Sequence, residues 1–336
     1  MARPILPSMR TWKRRLRTPV AAALLVAVPI ALPVALASDA DRPAAGASAV
    51  KMPRCFGAPT RDTVKPCRNA ELDTQVFPTP DDALLYPNAE CEPEYNSIPY
   101  QCHFGAPLEE ANGTVALVGD SHATHWRGAL LTLTEEYGWH GISMTRSGCT
   151  FSTAEPVLPG KKKACLEWRA QIYEWFTQHP EVRTVFLSQH PGEVVVPEGE
   201  TEWRTKVRGF RDAWRMLPDT VRHIVIIRDT PYVTSKTPDC VTRAMKAEMN
   251  AGVECALLRK RALKTDHAAV AAERFQARIP GLKLVDMTSF MCDEDSCFPV
   301  VGGALTHKDT GHITVVFSET LGPYLLRKVR ALGIRI

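Results

Sequence analysis

Five short apolar runs punctuate the chain between residues 114 and 287: TVALVG (114–119), HGISMTR (140–146), RTVFLS (183–188), HIVIIRD (223–229) and LKLVDM (282–287). Each is bounded by polar or glycine-containing segments and has the length of a buried strand rather than of a helix. Between them, apolar residues recur at helical spacing over 123–137, 165–179 and 202–217, the last strongly amphipathic. Residues 241–278 read as largely helical, and 312–332 closes as a helix despite Pro323. Strands alternating with helices predict a parallel sheet covered on both faces. No internal repeat is visible. In such a sheet, ligand-binding and reactive groups collect at the carboxyl ends of the strands, so functional residues should follow strands rather than precede them.

Residues 55–110 lack this texture. They hold four Cys and many Pro without clear periodicity, and predict a loop-rich, disulfide-stapled extension on a main domain of 111–336. Residues 38–54, rich in Ala, Pro and Ser, read as a linker. The first 37 residues have yet another pattern: a basic stretch, the uncharged run PVAAALLVAVPIALPVALA, and a small-x-small end at Ala35-Leu36-Ala37. That is the layout of a secretory signal peptide. The run is also close to the ~20 apolar residues that span a bilayer, so a single uncleaved membrane anchor fits as well. Either way the basic flank stays inside and the remainder is extracytoplasmic.

Composition adds limits. At 45% apolar and 23% charged the chain is ordinary globular material, neither fibrous nor disordered. Of its 41 Lys and Arg, six lie in residues 1–37, which carry no acid; the rest of the chain has 35 basic against 37 acidic residues. No basic footprint for nucleic acid is left on the folded part.

All ten cysteines follow the export segment: Cys55, Cys67, Cys91, Cys102, Cys149, Cys165, Cys240, Cys255, Cys292 and Cys297. They fall into five near-neighbour pairs. Outside the cytoplasm such a set reads as disulfides, with sequential pairing the expectation among hundreds of formal connectivities. Zinc is the rival use of Cys, but no CxxC or HxxxH pair occurs, so neither metal nor cofactor is expected.

The first strand runs into Gly119-Asp120-Ser121-His122-Ala123, which places Ser121 on a strand-to-helix turn. Alone, this is equally an N-capped helix. The flanks are not GxSxG, so an α/β-hydrolase elbow is not indicated. Beyond the fifth strand comes Thr306-His307-Lys308-Asp309-Thr310-Gly311-His312-Ile313-Thr314. Asp309 and His312 could orient toward the same sheet edge, His312 to deprotonate Ser121 and Asp309 to steady the imidazolium. His122 and His125 read as structural, Trp126 as core, Asp120 as bonded to local backbone and His307 as a solvated side chain.

The two motifs together resemble the SGNH hydrolase superfamily, and more closely its SGNH domain associated with acyltransferase-3 membrane proteins. Residues 119–126 fit that subfamily's GDSHA-x-HW block, and Cys292 and Cys297 followed by Asp309, His312, Ile313 and Thr314 fit its closing block. Asp229-Thr230-Pro231 after the fourth strand, with Cys240 and Cys255 beyond, fits its middle. The resemblance covers residues ~111–332. It implies a three-layer, flavodoxin-like α/β fold with a central parallel sheet of about five strands, and Ser121, His312 and Asp309 as nucleophile, base and partner. It also implies oxyanion donors from the Ser121 backbone and from a second-block glycine, for which Gly148 is the candidate. The third block should hold an Asn; this chain has Ser188-Gln189-His190 instead, and Gln189 can supply an amide donor.

The implied activity is an extracytoplasmic O-acyltransferase, O-acetyl for preference, acting on a cell-envelope glycan hydroxyl. Having one apolar segment at most, the chain would draw its acyl group from a separate membrane acyltransferase-3 protein or another donor. A secreted carbohydrate esterase would use the same triad with water as acceptor. A non-catalytic envelope-binding module is disfavoured by the complete Ser/Asp/His set.

Overall fold

The computed structural model describes residues 52–85 and 88–334. The export segment predicted over 1–37, and the linker as far as residue 51, lie outside the described residues. Among the described residues no helix is long and apolar enough to cross a membrane.

In chain order the main elements are β1 (Glu92–Glu94), β2 (Gln101–Gly105), β3 (Gly113–Gly119), α1 (Ser121–Thr124), α2 (Arg127–Tyr137), β4 (Trp139–Thr145), α3 (Lys162–Gln178), β5 (Thr184–Ser188) and α4 (Glu202–Arg215). There follow β6 (His223–Ile227), α5 (Thr237–Lys246), α6 (Ala251–Glu254), β7 (Leu257–Leu258), α7 (Arg259–Ala262), α8 (His267–Phe275), β8 (Leu282–Val285) and α9 (Val315–Ala331).

The five predicted strands are β3, β4, β5, β6 and β8, and they are mutually parallel in the order β4-β3-β5-β6-β8. The order reverses at β3, and the crevice beside such a reversal is where doubly wound sheets bind ligands. Beyond these five parallel strands, β1 and β2 of the Cys- and Pro-rich segment extend the sheet antiparallel past β4, to seven strands. Strands of three and five residues are too short to show an alternating pattern.

Alternation within β3 explains the layers. Val115 and Leu117 pack with Trp126, Leu130, Phe317 and Leu321 of the α1–α2 segment and α9 on one face. Ala116 and Val118 pack with Trp168, Phe176, Phe210 and Ala272 of α3, α4 and α8 on the other. All four β3 side chains are fully buried, each larger one worth roughly 1.5–3 kcal/mol.

Two helical expectations need correction. The stretch predicted over 123–137 breaks at His125–Trp126. There the Ser318 hydroxyl of α9 donates to the His125 carbonyl (2.7 Å) and accepts from Ala129 N–H (3.1 Å), serving both helix ends. The region 241–278 is largely helical as expected, as the series α5 to α8 with β7 among it. Asn250 and Asp266 each accept from backbone N–H at the start of a new helix, so the polar groups that punctuate the segment act as caps. The last helix begins at Val315, capped by Thr314, so Asp309 and His312 lie in the loop before it. Within α9, Pro323 cannot donate to Glu319 C=O; the Thr132 hydroxyl approaches that carbonyl at 3.4 Å instead.

The five disulfides are Cys55–Cys67, Cys91–Cys102, Cys149–Cys165, Cys240–Cys255 and Cys292–Cys297, the sequential pairing. Besides these links, Asp62 accepts a two-pronged hydrogen bond from Arg327 of α9 at 2.7 and 2.9 Å, fastening the N-terminal segment to the main body.

Candidate active site

Gly119 ends β3 with φ +148°, a backbone that residues with a side chain rarely adopt. A methyl group there would come within 2.2 Å of the Ser188 carbonyl oxygen and 2.9 Å of Ala123 Cβ. Only glycine lets β3 turn this sharply against the end of β5. Asp120 then caps α1, and Ser121 is its first residue. The buried Asp120 carboxylate accepts from His122 N–H and His190 N–H, both at 2.8 Å. It therefore ties the turn after β3 to the turn after β5. Burial pushes its carboxyl up to about 6.

Asp309 and His312 come from the other end of the chain, on a tight loop. Lys308 N–H donates to His312 C=O at 3.0 Å and Thr314 N–H to Thr306 C=O at 2.9 Å. The Asp309 Oδ1 atom accepts from Gly311 N–H (2.9 Å) and His312 N–H (2.8 Å). Its Oδ2 faces the His312 Nδ1 atom at 2.8 Å. On the far side of the ring, Nε2 lies 2.8 Å from Ser121 Oγ. Burial alone would raise the Asp309 carboxyl, but the hydrogen bonds from the His312 ring and the two backbone N–H groups outweigh it. They hold Asp309 well below the ordinary carboxylate range. The three sequence candidates, 191 residues apart at the extremes, thus form one hydrogen-bonded line. Such a line can deprotonate a hydroxyl and hold the resulting imidazolium against an ionised carboxylate. The site is partly open, with the His312 side chain 29% and Asp309 41% exposed.

The two oxyanion candidates differ in setting. Gln189 is buried immediately after β5. Its Oε1 accepts from Phe151 N–H at 3.0 Å, while its buried Nε2 has no hydrogen-bond partner among the described residues. That amide nitrogen would be 3.4 Å from a methyl group built on Gly119, which puts it against the turn that carries Ser121. Gly148 occupies an exposed turn with φ +70°. Arg146 N–H of the same turn bonds to Gly119 C=O at 3.0 Å, keeping it beside the end of β3.

Sequence reasoning underrated a second, buried group. His122 Nδ1 lies 2.6 Å from Asp229 Oδ1, and both side chains are almost wholly enclosed. Burial lowers His122 to about 4 and raises Asp229, so the pair favours its neutral form. The His122 ring centroid is 4.7 Å from that of His312 and 4.7 Å from that of His190. Asp229 lies two residues past the end of β6, and the carboxyl-edge rule applied to every strand end would have collected it with Ser121 and His190. His307 is not solvated: it is buried, its Nε2 donating to Pro231 C=O at 2.6 Å, and burial lowers it to about 4. His122, His125 and Asp229 are the one set among the described residues whose ligand atoms converge, within 4.8 Å, as a cation site would require. The bond between His122 and Asp229 already engages two of the three.

The chain matches the family model of the SGNH domain (fused to AT3 domains) over residues 88–327, well over half its length. No curated protein matches it. Among the solved structures similar to it are two at 15% sequence identity. The periplasmic domain of the Salmonella ser. Paratyphi A lipopolysaccharide acetyltransferase aligns over 69% of this chain and 91% of its own, with a TM-score of 0.48. The carboxylesterase CesB of Bacillus subtilis aligns over 76% of this chain and 96% of its own, with a TM-score of 0.30.

Proposed function

The chain belongs to the family of SGNH domains found fused to AT3 domains, a setting of acyl transfer and ester chemistry, and from that premise we propose that it is an extracytoplasmic O-acyltransferase acting on a cell-envelope glycan. The observation that carries the proposal is the line Ser121 Oγ–His312 Nε2, 2.8 Å, continued from Nδ1 to Asp309 at 2.8 Å. Ser121 Oγ bonds to the acyl carbon of the donor as its proton passes to His312 Nε2. The leaving group departs with that proton, and the acyl group remains as an ester on Ser121. A sugar hydroxyl then attacks this ester, giving its proton to His312. The sugar leaves acylated, and the proton returns to Ser121 Oγ. Asp309, held ionised, stabilises the imidazolium in both halves. Ser121 N–H, Gly148 N–H and the Gln189 amide are the groups offered to the oxyanion.

Five disulfides support an oxidising, extracytoplasmic setting, and the segment 1–37 would deliver or anchor the chain there. The acyl donor would be a membrane acyltransferase-3 unit or another acyl donor. One observation favours a second reading, a carbohydrate esterase: the exposure of His312 and Asp309 leaves the triad reachable by water. Incubation with p-nitrophenyl acetate and envelope oligosaccharides, beside Ser121→Ala, separates the two. Acylated sugar that depends on Ser121 supports transfer. Acetate release that no sugar alters supports the esterase.

A further inference from the structure

A cavity of about 570 Å³ opens beside the triad loop. Its wall includes Thr310, between Asp309 and Gly311, together with His190, Tyr232, Arg261 and Lys264. Tyr232 joins the cavity to the reacting groups: a methyl group at Gly311 would come 3.1 Å from its ring, and its face stacks on His122 at 6.0 Å between centroids. The Lys264 ammonium sits 3.7 Å from the centroid of the Tyr232 ring. Arg261 stands on α7, a turn that the sequence makes strongly basic (Arg259-Lys260-Arg261). No carboxylate lines the cavity, and neither Arg261 nor Lys264 makes an ion pair among the described residues. Two cations stand in this wall although the chain beyond residue 37 has slightly more acids than bases; Lys264 also borders a neighbouring cavity lined by Asp229, Asp266 and Asp286.

We propose that this cavity is an acceptor subsite for an anionic sugar, one carrying a carboxylate or a phosphate; the proposal rests on the acyl-transfer reading above. The volume suits one or two sugar rings. Arg261 supplies a planar fork for the anion and Lys264 a point charge. Tyr232, its ring held between His122 and the Lys264 ammonium, forms the wall between these cations and the reacting groups. Held there, the sugar lies along the Thr310 side of the triad, with its free hydroxyl within reach of an acyl group on Ser121.

The test is a binding titration of the full chain, disulfides intact, with three probes and no acyl donor: tri-galacturonate, glucose 1-phosphate and the neutral maltotriose. Each anionic probe that fits should bind about tenfold or more tightly than maltotriose at low salt. The double variant Arg261→Ala/Lys264→Ala should remove that preference, while Arg204→Ala, an exposed cation on α4, should leave it intact. Matched thermal unfolding confirms that the variants fold. A preference confined to one anion names the source. Equal binding of all three probes, or a preference that survives the double variant, overturns the proposal. Because the readout needs no catalysis, the two readings fail separately. An unacylated Ser121 with the preference intact overturns only the transfer chemistry, and an acylated Ser121 without the preference overturns only the subsite.

Discussion

Replacing Asp309 by Asn tests how the loop before α9 sets the chemistry of His312. The carboxylate has two duties. Its Oδ1 accepts two backbone N–H bonds at 2.8 and 2.9 Å, and its Oδ2 makes the nearer contact with the imidazole, at 2.8 Å. An Asn side chain can keep only one arrangement. If its oxygen stays on the two N–H groups, its NH₂ faces His312 Nδ1, donor toward the ring. The ring then favours the tautomer that carries its proton on Nε2, and Nε2 can no longer accept from Ser121. The flipped amide instead points a donor at two backbone donors, each unmet N–H costing about 1–3 kcal/mol, so the first arrangement wins. In a fully buried triad the equivalent change costs about 10⁴-fold in rate. Here water reaches both partners, with 41% of Asp309 exposed, and can hold part of the ring population in the productive tautomer. We therefore expect a fall in kcat/KM of about 10²–10³-fold, or roughly 3–4 kcal/mol of activation free energy. The assay is steady-state hydrolysis of p-nitrophenyl acetate at neutral pH, with thermal unfolding as a control. A loss below about threefold, in a variant that folds normally, would refute the tautomer reasoning.

Other perturbations are equally specific. Gly119→Ala drives a methyl group to 2.2 Å from the Ser188 carbonyl in a backbone region closed to alanine; stability should fall by at least about 3 kcal/mol in urea melts, and Ser121 reactivity with it. Gln189→Leu removes the buried amide beside Gly119, so kcat should fall about 10–10³-fold while KM changes little; an unchanged kcat would remove Gln189 from the oxyanion site. Arg327→Met strips the partner from a buried carboxylate and should cost about 1–3 kcal/mol at pH 7. The hydrogen bonds from Arg327 hold Asp62 at about 2, against an ordinary 3.8. Stability from this pair is thus fully present above pH ~4 and is lost as pH falls toward 2. Wild type and Arg327→Met should converge over that window, which urea melts at a series of pH values would show.

The sequence disclosed the parallel core because buried strands such as TVALVG and HIVIIRD carry their signal in every residue. It brought out Ser121, Asp309 and His312 as candidates because two local motifs sit where an α/β sheet exposes reactive groups, and the fold brings the three within hydrogen-bond distance. What it hid was non-local or too short. Strands β1 and β2 are fixed by pairing and by the Cys91–Cys102 bridge rather than by periodicity. The contact of His122 with Asp229 spans 107 residues and looks like nothing in either segment alone. The break between α1 and α2 depends on Ser318, a residue from the far end of the chain. The apolar spacing carries the last helix back to His312, but Thr314 caps it and leaves Asp309 and His312 on a loop that forms its own turn.

The most direct test of the central claim is to trap the acyl-enzyme. The chain would be mixed with p-nitrophenyl acetate, quenched in acid within one turnover, digested and read by mass spectrometry. The account predicts one acetyl group on the peptide containing Ser121, absent in Ser121→Ala and in His312→Ala. An unmodified Ser121 while p-nitrophenol is released at the wild-type rate, or an acetyl group at another residue, would contradict it.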